Sequence, residues 1–206
     1  MSLDLVAGLI HWAGGILAYA TLAVMLFGIW KGTRREVGRV SGRMGGFLRS
    51  AWFYALAVIV FLALCIVGWT PIAIRIVQQW RVWLLVAGAV LLFPGLALVL
   101  WGRLALGRDY FVSTSQGAQL FADQHLVKTG PYALVRHPMY LGLLLAALGS
   151  LLVYATWTTL FFALFAPFVL LRTKREDAAL SAEFGDEWAE YRRRVPGFFP
   201  KLRKED

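Results

Sequence analysis

Two long stretches without a charged side chain limit what this chain can fold into. No Asp, Glu, Lys or Arg lies between Asp4 and Lys31, and none occurs from Ser50 to Ile74. About 20 apolar helical residues span the roughly 30 Å hydrocarbon core of a bilayer. The 206-residue chain is 59% hydrophobic and has a mean hydropathy of +0.64. It is therefore predicted to be an all-α integral membrane protein rather than a soluble domain.

About five transmembrane helices are predicted. In chain order they cover 8–30, 51–70, 82–102, 138–154 and 156–171. The first is interpreted as a retained span rather than a signal peptide, because no basic residue precedes it and a basic loop follows it. We treat 1–206 as a single membrane domain, in which 1–102 is a three-helix scaffold and 103–206 is the half that carries the chemistry.

The basic residues predict how these spans are oriented. Nineteen of the 21 Lys and Arg residues fall in 31–50, 103–137 and 172–206, and only Arg75 and Arg81 fall on the other side. The positive-inside rule then places the C-terminus in the cytosol and the N-terminus outside. This topology also accounts for the net charge of +9, so nucleic-acid binding is not expected. A bacterial inner membrane is the expected location.

Small residues in the spans indicate close helix packing. Gly142, Ala146 and Ser150 recur every four residues, a spacing that lets another helix approach, and span five is the expected partner. Pro94 and Gly95 interrupt the third span. They predict either a kink that neighbouring helices accommodate or an opening for substrate, and the kink is the preferred interpretation.

Several common kinds of site are not found in the sequence. It has no phosphate-binding loop, no dinucleotide-type glycine motif and no H-E-x-x-H motif. Cys65 is the only cysteine, so neither a disulfide nor a cysteine-based metal site is expected. His11, His125 and His137 are far apart in the sequence, and no metal site is predicted from them.

A polar cluster precedes the fourth span. The segment G-P-Y-A-L-V-R-H-P-M-Y-L-G, residues 130–142, places Arg136 and His137 directly before a proline. Proline favours extended backbone in the residue before it and begins a helix without an amide donor. Arg136 and His137 are therefore predicted at a helix N-terminus, where anions bind favourably. With Tyr132 and Tyr140 beside them, the cluster predicts a binding site rather than simple headgroup contacts.

A second polar cluster follows the fifth span. Leu180, Phe184, Trp188 and Tyr191 recur at helical spacing, which predicts a cytosolic amphipathic helix. Its acidic residues are too many for a helix that only lies on anionic lipid; they are Glu176, Asp177, Glu183, Asp186, Glu187 and Glu190. We predict that this helix closes a cofactor pocket, and that the two clusters enclose a single polar chamber.

Three ordered segments in this half resemble a known family. They are L-V-K-T-G-P-Y-A-L-V-R-H-P-M-Y-L-G (126–142), R-T-K-R-E-D-A-A-L (172–180) and F-G-D-E-W-A-E-Y-R-R-R-V-P (184–196). Together they are similar to the isoprenylcysteine carboxyl methyltransferases and the related membrane phospholipid methyltransferases. The resemblance covers roughly 107–200 and implies an integral membrane enzyme that uses S-adenosylmethionine on a lipid-like or prenylated small molecule.

The resemblance also implies site residues. The implied cofactor-binding residues are His125, Leu126, Val127, Tyr132, Arg136, His137, Met139, Tyr140, Asp186 and Glu187. Arg172 and Glu176 are implied as the catalytic residues beside the acceptor. The family often has Glu-Glu where this chain has Glu176-Asp177, so Glu176 is preferred to the shorter Asp177.

Alternatives remain open at this point. Methylation of an isoprenylcysteine-type carboxylate is favoured, with N-methylation of a phospholipid amine or S-methylation of a small thiol as alternatives. A carboxylate is already ionised at neutral pH, whereas an amine needs a base such as Glu176 to remove a proton. An NADPH-dependent membrane reductase of similar fold and a non-catalytic membrane scaffold are the alternatives of other classes.

Overall fold

The structure is a computed structural model that describes residues 3–32, 51–73, 77–110 and 125–199. The regular structure of these residues is helical, which confirms the predicted all-α class for this part of the chain. The α-helices are α1 (Leu3–Gly32), α2 (Ala51–Val67), α3 (Gln78–Leu106), α4 (Pro138–Tyr154), α5 (Trp157–Phe165) and α6 (Val169–Arg194). Short 3-10 helices cover Gly107–Asp109, Gly130–Ala133 and Ala166–Phe168.

Two helices are long and apolar enough to cross a membrane. These segments are Asp4–Lys31 and Gln78–Asp109, with 28 and 32 residues, and Ala55–Val67 and Pro138–Tyr154 are shorter apolar helices. The predicted fifth span is built from three pieces, because α5 ends at Phe165 and a 3-10 turn leads into α6. Membrane length is thus confirmed for two predicted spans. The other three and their orientation stay predictions, and much of the basic loop 31–50 lies outside the described residues.

The centre of the helical core is the antiparallel contact between α3 and α4. A side chain added to Gly95 would lie 2.6 Å from the amide nitrogen of Ala146, and one added to Gly149 would lie 2.4 Å from that of Leu92. The two backbones therefore touch, which is the way small residues let membrane helices associate. The buried cluster around this contact consists of Leu85, Leu92, Leu96, Ala146 and Val153, and residues of α1 pack against it.

The small residues of α4 face α3, so the prediction that they face the fifth span was wrong. A side chain on Gly142 would lie 2.6 Å from the carbonyl oxygen of Gly95, whereas the Ser150 hydroxyl donates to the carbonyl oxygen of Ala147 on its own helix at 2.8 Å. The reason is that α3 also offers a glycine wherever α4 comes close. Helix α5 begins W-T-T-L-F-F and has no glycine at which the backbone of α4 could come equally close.

The Pro94–Gly95 pair lies inside α3, which continues through it. Gly95 is a point of direct contact with α4, so packing explains the glycine, whereas Pro94 is exposed. These contacts test neither the preferred kink nor the opening for substrate, and both stay predictions. The predicted very short connection after α4 is confirmed. Ala155 adopts a left-handed backbone conformation, and Thr156 caps α5 by accepting a hydrogen bond from the Thr159 amide.

Candidate functional site

A rigid turn leads the chain into α4. Gly130 has a φ of +61°, a left-handed conformation that favours glycine, and Pro131 then starts a 3-10 helix. Pro131 and Pro138 are among the most completely buried side chains of the described residues. Tyr132 is buried with them at 9% exposure. The turn therefore gives the residues between the two prolines fixed positions at the N-terminal end of α4.

The segment after α6 lies along this turn. The Arg136 amide donates to the Pro196 carbonyl oxygen at 2.8 Å, and the His137 amide donates to that of Gly197 at 3.0 Å. These two amides are used by the C-terminal segment and are not available to a bound anion, and the expected anion binding at the N-terminus of α4 stays a prediction. The two polar clusters therefore meet, as predicted, while the enclosed polar chamber stays a prediction.

Asp177 on α6 contacts both Arg136 and His137 of the turn. Nη1 of Arg136 donates to its Oδ2 at 2.7 Å, and Nε2 of His137 lies 3.0 Å from its Oδ1. Burial by itself raises the pKa of Asp177, but the contacts with His137 and Arg136 outweigh burial and lower this pKa below its ordinary value of 3.8. An ionised carboxylate therefore links α6 to the turn before α4 at neutral pH.

Sequence reasoning did not place Asp177 in the site, because it preferred Glu176. A usable signal was present in the two adjacent residues Arg136 and His137. Side chains of this kind are rarely buried without an anionic partner, so a carboxylate from elsewhere in the chain was required. Arg136 is further held by its Nε, which donates to the Val195 carbonyl oxygen at 3.1 Å.

Aromatic rings surround the His137 imidazole. The Tyr140 ring stacks on it with 5.8 Å between centroids, and the Phe198 ring lies 5.5 Å away. The His137 side chain is only 5% exposed. The ring is thus confined between α4 and the C-terminal segment, with its Nε2 close to Asp177 Oδ1.

The second half of α6 covers the turn, as its amphipathic pattern predicted. The buried residues Trp188, Tyr191 and Val195 form a cluster against which Leu126, Leu180 and Phe184 pack. The Tyr191 hydroxyl donates to the carbonyl oxygen of Tyr132 at 2.7 Å. Burial raises the pKa of Tyr191 to about 12, so this phenol stays protonated and keeps its donor role. Gly185, at a φ of +48°, interrupts the helix between its two halves.

Arg172 and Glu176 lie one helical turn apart on the first half of α6. The Oε2 atom of Glu176 is buried and has no hydrogen-bond partner among the described residues. Burial raises the pKa of Tyr132, and the negative charge of Glu176 raises it further. Burial also raises the pKa of Tyr110 to about 12, against the opposing effect of Arg103 and Arg172. The two predicted catalytic residues are therefore electrostatically coupled to buried tyrosines.

Several predicted binding residues make other contacts. The His125 side chain is 63% exposed, and its Nδ1 lies 3.9 Å from Asp109 Oδ1 beside the 3-10 helix that follows α3. Met139 packs against Gly102 of α3: a Cβ atom added to Gly102 would lie 2.6 Å from the Cγ atom of Met139. Glu187 pairs with Lys128 at 2.7 Å. Two further predicted residues, Val127 and Asp186, are half-buried and exposed respectively.

Comparison with known proteins identifies relatives of this region. Residues 83–187, about half of the chain, match the family described as phospholipid methyltransferase. The cobalt-zinc-cadmium resistance protein CzcN of Cupriavidus metallidurans is 47% identical over 83 residues, covering 37% of this chain and 36% of the relative. The protein-S-isoprenylcysteine O-methyltransferase of Schizosaccharomyces pombe is 38% identical over 82 residues, covering 39% and 35%.

A more distant match is to a different kind of enzyme. The delta(14)-sterol reductase of Methylotuvimicrobium alcaliphilum is 32% identical over 101 residues, which cover 48% of this chain and 21% of the reductase. The chain thus spans about a third or less of the length of these curated relatives. Each of the three relatives matches this chain over one segment and not over its whole length.

Proposed function

The chain belongs to the phospholipid methyltransferase family, a family of membrane methyltransferases, and from this premise we propose that it transfers a methyl group from S-adenosylmethionine to a lipid-like acceptor. The double contact of Asp177 with Arg136 and His137 carries the proposal. It fixes α6 against the turn before α4, and it keeps the buried carboxylate of Glu176 next to the tyrosines of that turn.

The residues around this contact suit S-adenosylmethionine, which carries a sulfonium, an ammonium group and a carboxylate. The buried Oε2 of Glu176 lacks a partner within the described part of the chain, and a cationic ligand would satisfy it. Aromatic faces such as those of Tyr132 and Tyr140 attract cations. When bound, the cofactor supplies a methyl group on a positively charged sulfur. We assign the pocket to the cofactor-binding residues that the resemblance implies, with Asp186 or Glu187 toward the ammonium group.

Arg136 and His137 have a changed role in this proposal. Since Asp177 engages both side chains, they act as positioning residues that set the shape of the pocket, rather than as the groups that grip the cofactor's carboxylate. Asp177 thereby joins the site although the sequence did not indicate it. Arg136, His137 and Asp177 together would hold the pocket in the fixed geometry that a displacement reaction requires.

Arg172 and Glu176 are the proposed catalytic residues at the acceptor. A guanidinium can hold a carboxylate by two parallel hydrogen bonds, so Arg172 would orient an isoprenylcysteine-type carboxylate. Arg172 would hold the acceptor oxygen toward the methyl group that the cofactor would supply, and no residue would need to take a proton from an acceptor that is already ionised. For an amine acceptor, Glu176 would take the proton. Near-attack positioning of this kind can contribute about 7–11 kcal/mol to lowering a barrier.

The carboxylate acceptor is favoured, and the similarity to a protein-S-isoprenylcysteine O-methyltransferase supports it. A phospholipid amine and a small thiol are the alternative acceptors. A second candidate function is an NADPH-dependent membrane reductase, for which the similarity to a sterol reductase is the supporting observation. A membrane scaffold without catalysis is the remaining alternative.

Calorimetric titration of the purified chain with S-adenosylmethionine, and separately with NADPH, tests the proposal. We expect S-adenosylmethionine to bind and NADPH not to bind. Transfer of a labelled methyl group to a prenylated cysteine, phosphatidylethanolamine or a small thiol then identifies the acceptor. Arg172→Gln should abolish transfer to a carboxylate acceptor, and Glu176→Gln should abolish transfer to an amine acceptor, while Lys174→Gln, at an exposed position of the same helix, should do neither. Binding of NADPH alone would favour the reductase, and binding of neither would favour the scaffold.

A further inference from the structure

A cavity of about 410 Å³ lies between the C-terminal ends of α1 and α3. Three of its lining residues, Lys31, Arg103 and Arg108, carry positive charge, and none of the lining residues in the described part of the chain is acidic. None of the lining residues is among the cofactor-binding or catalytic residues assigned above, although Tyr110, which lines the cavity, interacts electrostatically with Arg172. Cations gathered around a cavity without a lining carboxylate select for a ligand that is itself an anion.

Arg103 is the innermost cation of this cavity. It is only 9% exposed, its Nη1 donates to the Gly107 carbonyl oxygen at 3.0 Å, and its guanidinium lies 4.3 Å from the centre of the Tyr110 ring. Its Nε is buried without a hydrogen-bond partner in the described segments, and no carboxylate of those segments pairs with the side chain. A buried cation is strongly disfavoured without an anion. The described segments offer this guanidinium a carbonyl oxygen and an aromatic ring but no carboxylate, and an anionic ligand would supply the missing negative charge.

Helix α1 makes room for this cation. Gly28 packs directly against the guanidinium, and a side chain at this position would lie 2.5 Å from both Nε and Nη2 of Arg103. Any residue larger than glycine would have to displace the arginine from the cavity. The position of the charge is therefore a consequence of how α1 and α3 fit together.

The rim of the cavity is apolar and lies on the two helices of membrane length. Phe27 is 55% exposed and Leu104 is 68% exposed, and both line the cavity. Trp101, one turn before the cavity on α3, is 48% exposed. A ligand that fits these surroundings has an anionic group for the cations and hydrocarbon for the rim. Basic pockets between transmembrane helices bind phospholipid headgroups in this way.

We propose that the cavity binds the phosphate of an anionic membrane phospholipid, whose acyl chains lie along Phe27 and Leu104. Arg103 contacts the phosphate from within, and Lys31 and Arg108 contact it from the rim. Arg108 Nη2 lies 3.4 Å from His125 Nδ1, so an occupied cavity also borders the segment that leads to the turn before α4.

Native mass spectrometry of the full chain, titrated in neutral detergent, tests this proposal. We expect phosphatidylglycerol to bind at least about tenfold more tightly than phosphatidylcholine, because only the former keeps a net negative charge next to the three cations. Arg103→Gln and Lys31→Gln should each reduce this preference at least fivefold. Arg192→Gln removes the same charge from an exposed position on α6 that does not line the cavity, and should leave the preference unchanged.

The other outcomes overturn the proposal. Equal binding of the two lipids, or an unchanged preference in Lys31→Gln, would exclude a lipid phosphate site. If Arg103→Gln fails to fold, the exposed Lys31→Gln variant decides the question. Inorganic phosphate is the third probe. If it displaces phosphatidylglycerol at equal concentration, the cavity is a site for free phosphate and not for lipid. Binding of S-adenosylmethionine, measured in the same variants, reports on the methyl-transfer site independently.

Discussion

The flank of α4 and its N-terminal end make contacts of opposite character. Along the flank, Gly142 and Gly149 bring the helix into direct backbone contact with α3. At the N-terminal end, Arg136 and His137 meet Asp177 of α6 across a charged contact. Close packing of small residues associates helices in hydrocarbon, whereas charges need water or a partner. The flank therefore holds the two helices together by packing, and the charged end is where a polar ligand can be recognised.

The largest effect on the charged end is expected when Asp177 is neutralised. In Asp177→Asn the side chain keeps its shape, but Arg136 and His137 lose their anion. Removing one partner of a buried pair destabilises by about 3–5 kcal/mol. We expect the lower end of this range, because the Asp177 side chain is 21% exposed. Chemical denaturation in detergent measures the loss, and affinity for S-adenosylmethionine should fall with it.

Glu183→Gln is the matched control for this variant. Glu183 is exposed on the same helix, so the same change from carboxylate to amide should alter stability by less than about 0.5 kcal/mol. If the two variants were equally stable, the contact of Asp177 with Arg136 and His137 would not stabilise the protein, and the explanation of the charged end would be wrong.

The close packing along the flank of α4 is tested by Gly149→Ala. The new methyl group would lie 2.4 Å from a backbone nitrogen of α3, so the two helices must separate. Overpacking of this kind destabilises by about 1–3 kcal/mol. Gly8→Ala on α1 is the control, because nothing lies within 4 Å of the added methyl group. It should instead stabilise by up to about 1 kcal/mol through helix propensity, and a loss of stability there would contradict the packing explanation.

Acidification should weaken the charged end selectively. The pKa of Asp177 is lower in the folded protein than its ordinary value of 3.8, so its stabilising effect is complete above that value. The effect is lost as the pH falls below 3.8 and passes through the folded-state pKa. The stability difference between the wild-type protein and Asp177→Asn should therefore shrink in this acid range. A constant difference, measured by denaturation at each pH, would mean that the charge of Asp177 is not what matters.

Local sequence rules predicted the charged end better than the flank. The prolines around the turn and the spacing of Trp188 and Tyr191 indicated a fixed turn and an amphipathic helix, and both are present. A stripe of small residues shows only that some helix approaches, which is why the wrong partner was expected for α4. The glycines Gly88, Gly95 and Gly102, spaced every seven residues on α3, were the missed signal.

The choice between Glu176 and Asp177 could not be made from the sequence for a different reason. Adjacent residues on a helix point about 100° apart, so the rotation of α6 decides which carboxylate meets the cations. That rotation depends on the 3-10 turn Ala166–Phe168 that leads into the helix. It is a property of three-dimensional packing, and the motif around these residues is compatible with either choice.

The smallest expected effect concerns the ion pair between Lys128 and Glu187, which also joins α6 to the segment before α4. Its side chains are 42% and 52% exposed, so water and salt screen the attraction. We expect a coupling energy of about 0.2–1 kcal/mol from a double-mutant cycle with Lys128→Ala and Glu187→Ala. The proposed role of Glu187 toward the ammonium group predicts that its replacement weakens cofactor binding more than stability. If this coupling energy were as large as the loss of stability in Asp177→Asn, an exposed ion pair would stabilise the charged end as much as the buried one. Burial would then not explain the importance of Asp177.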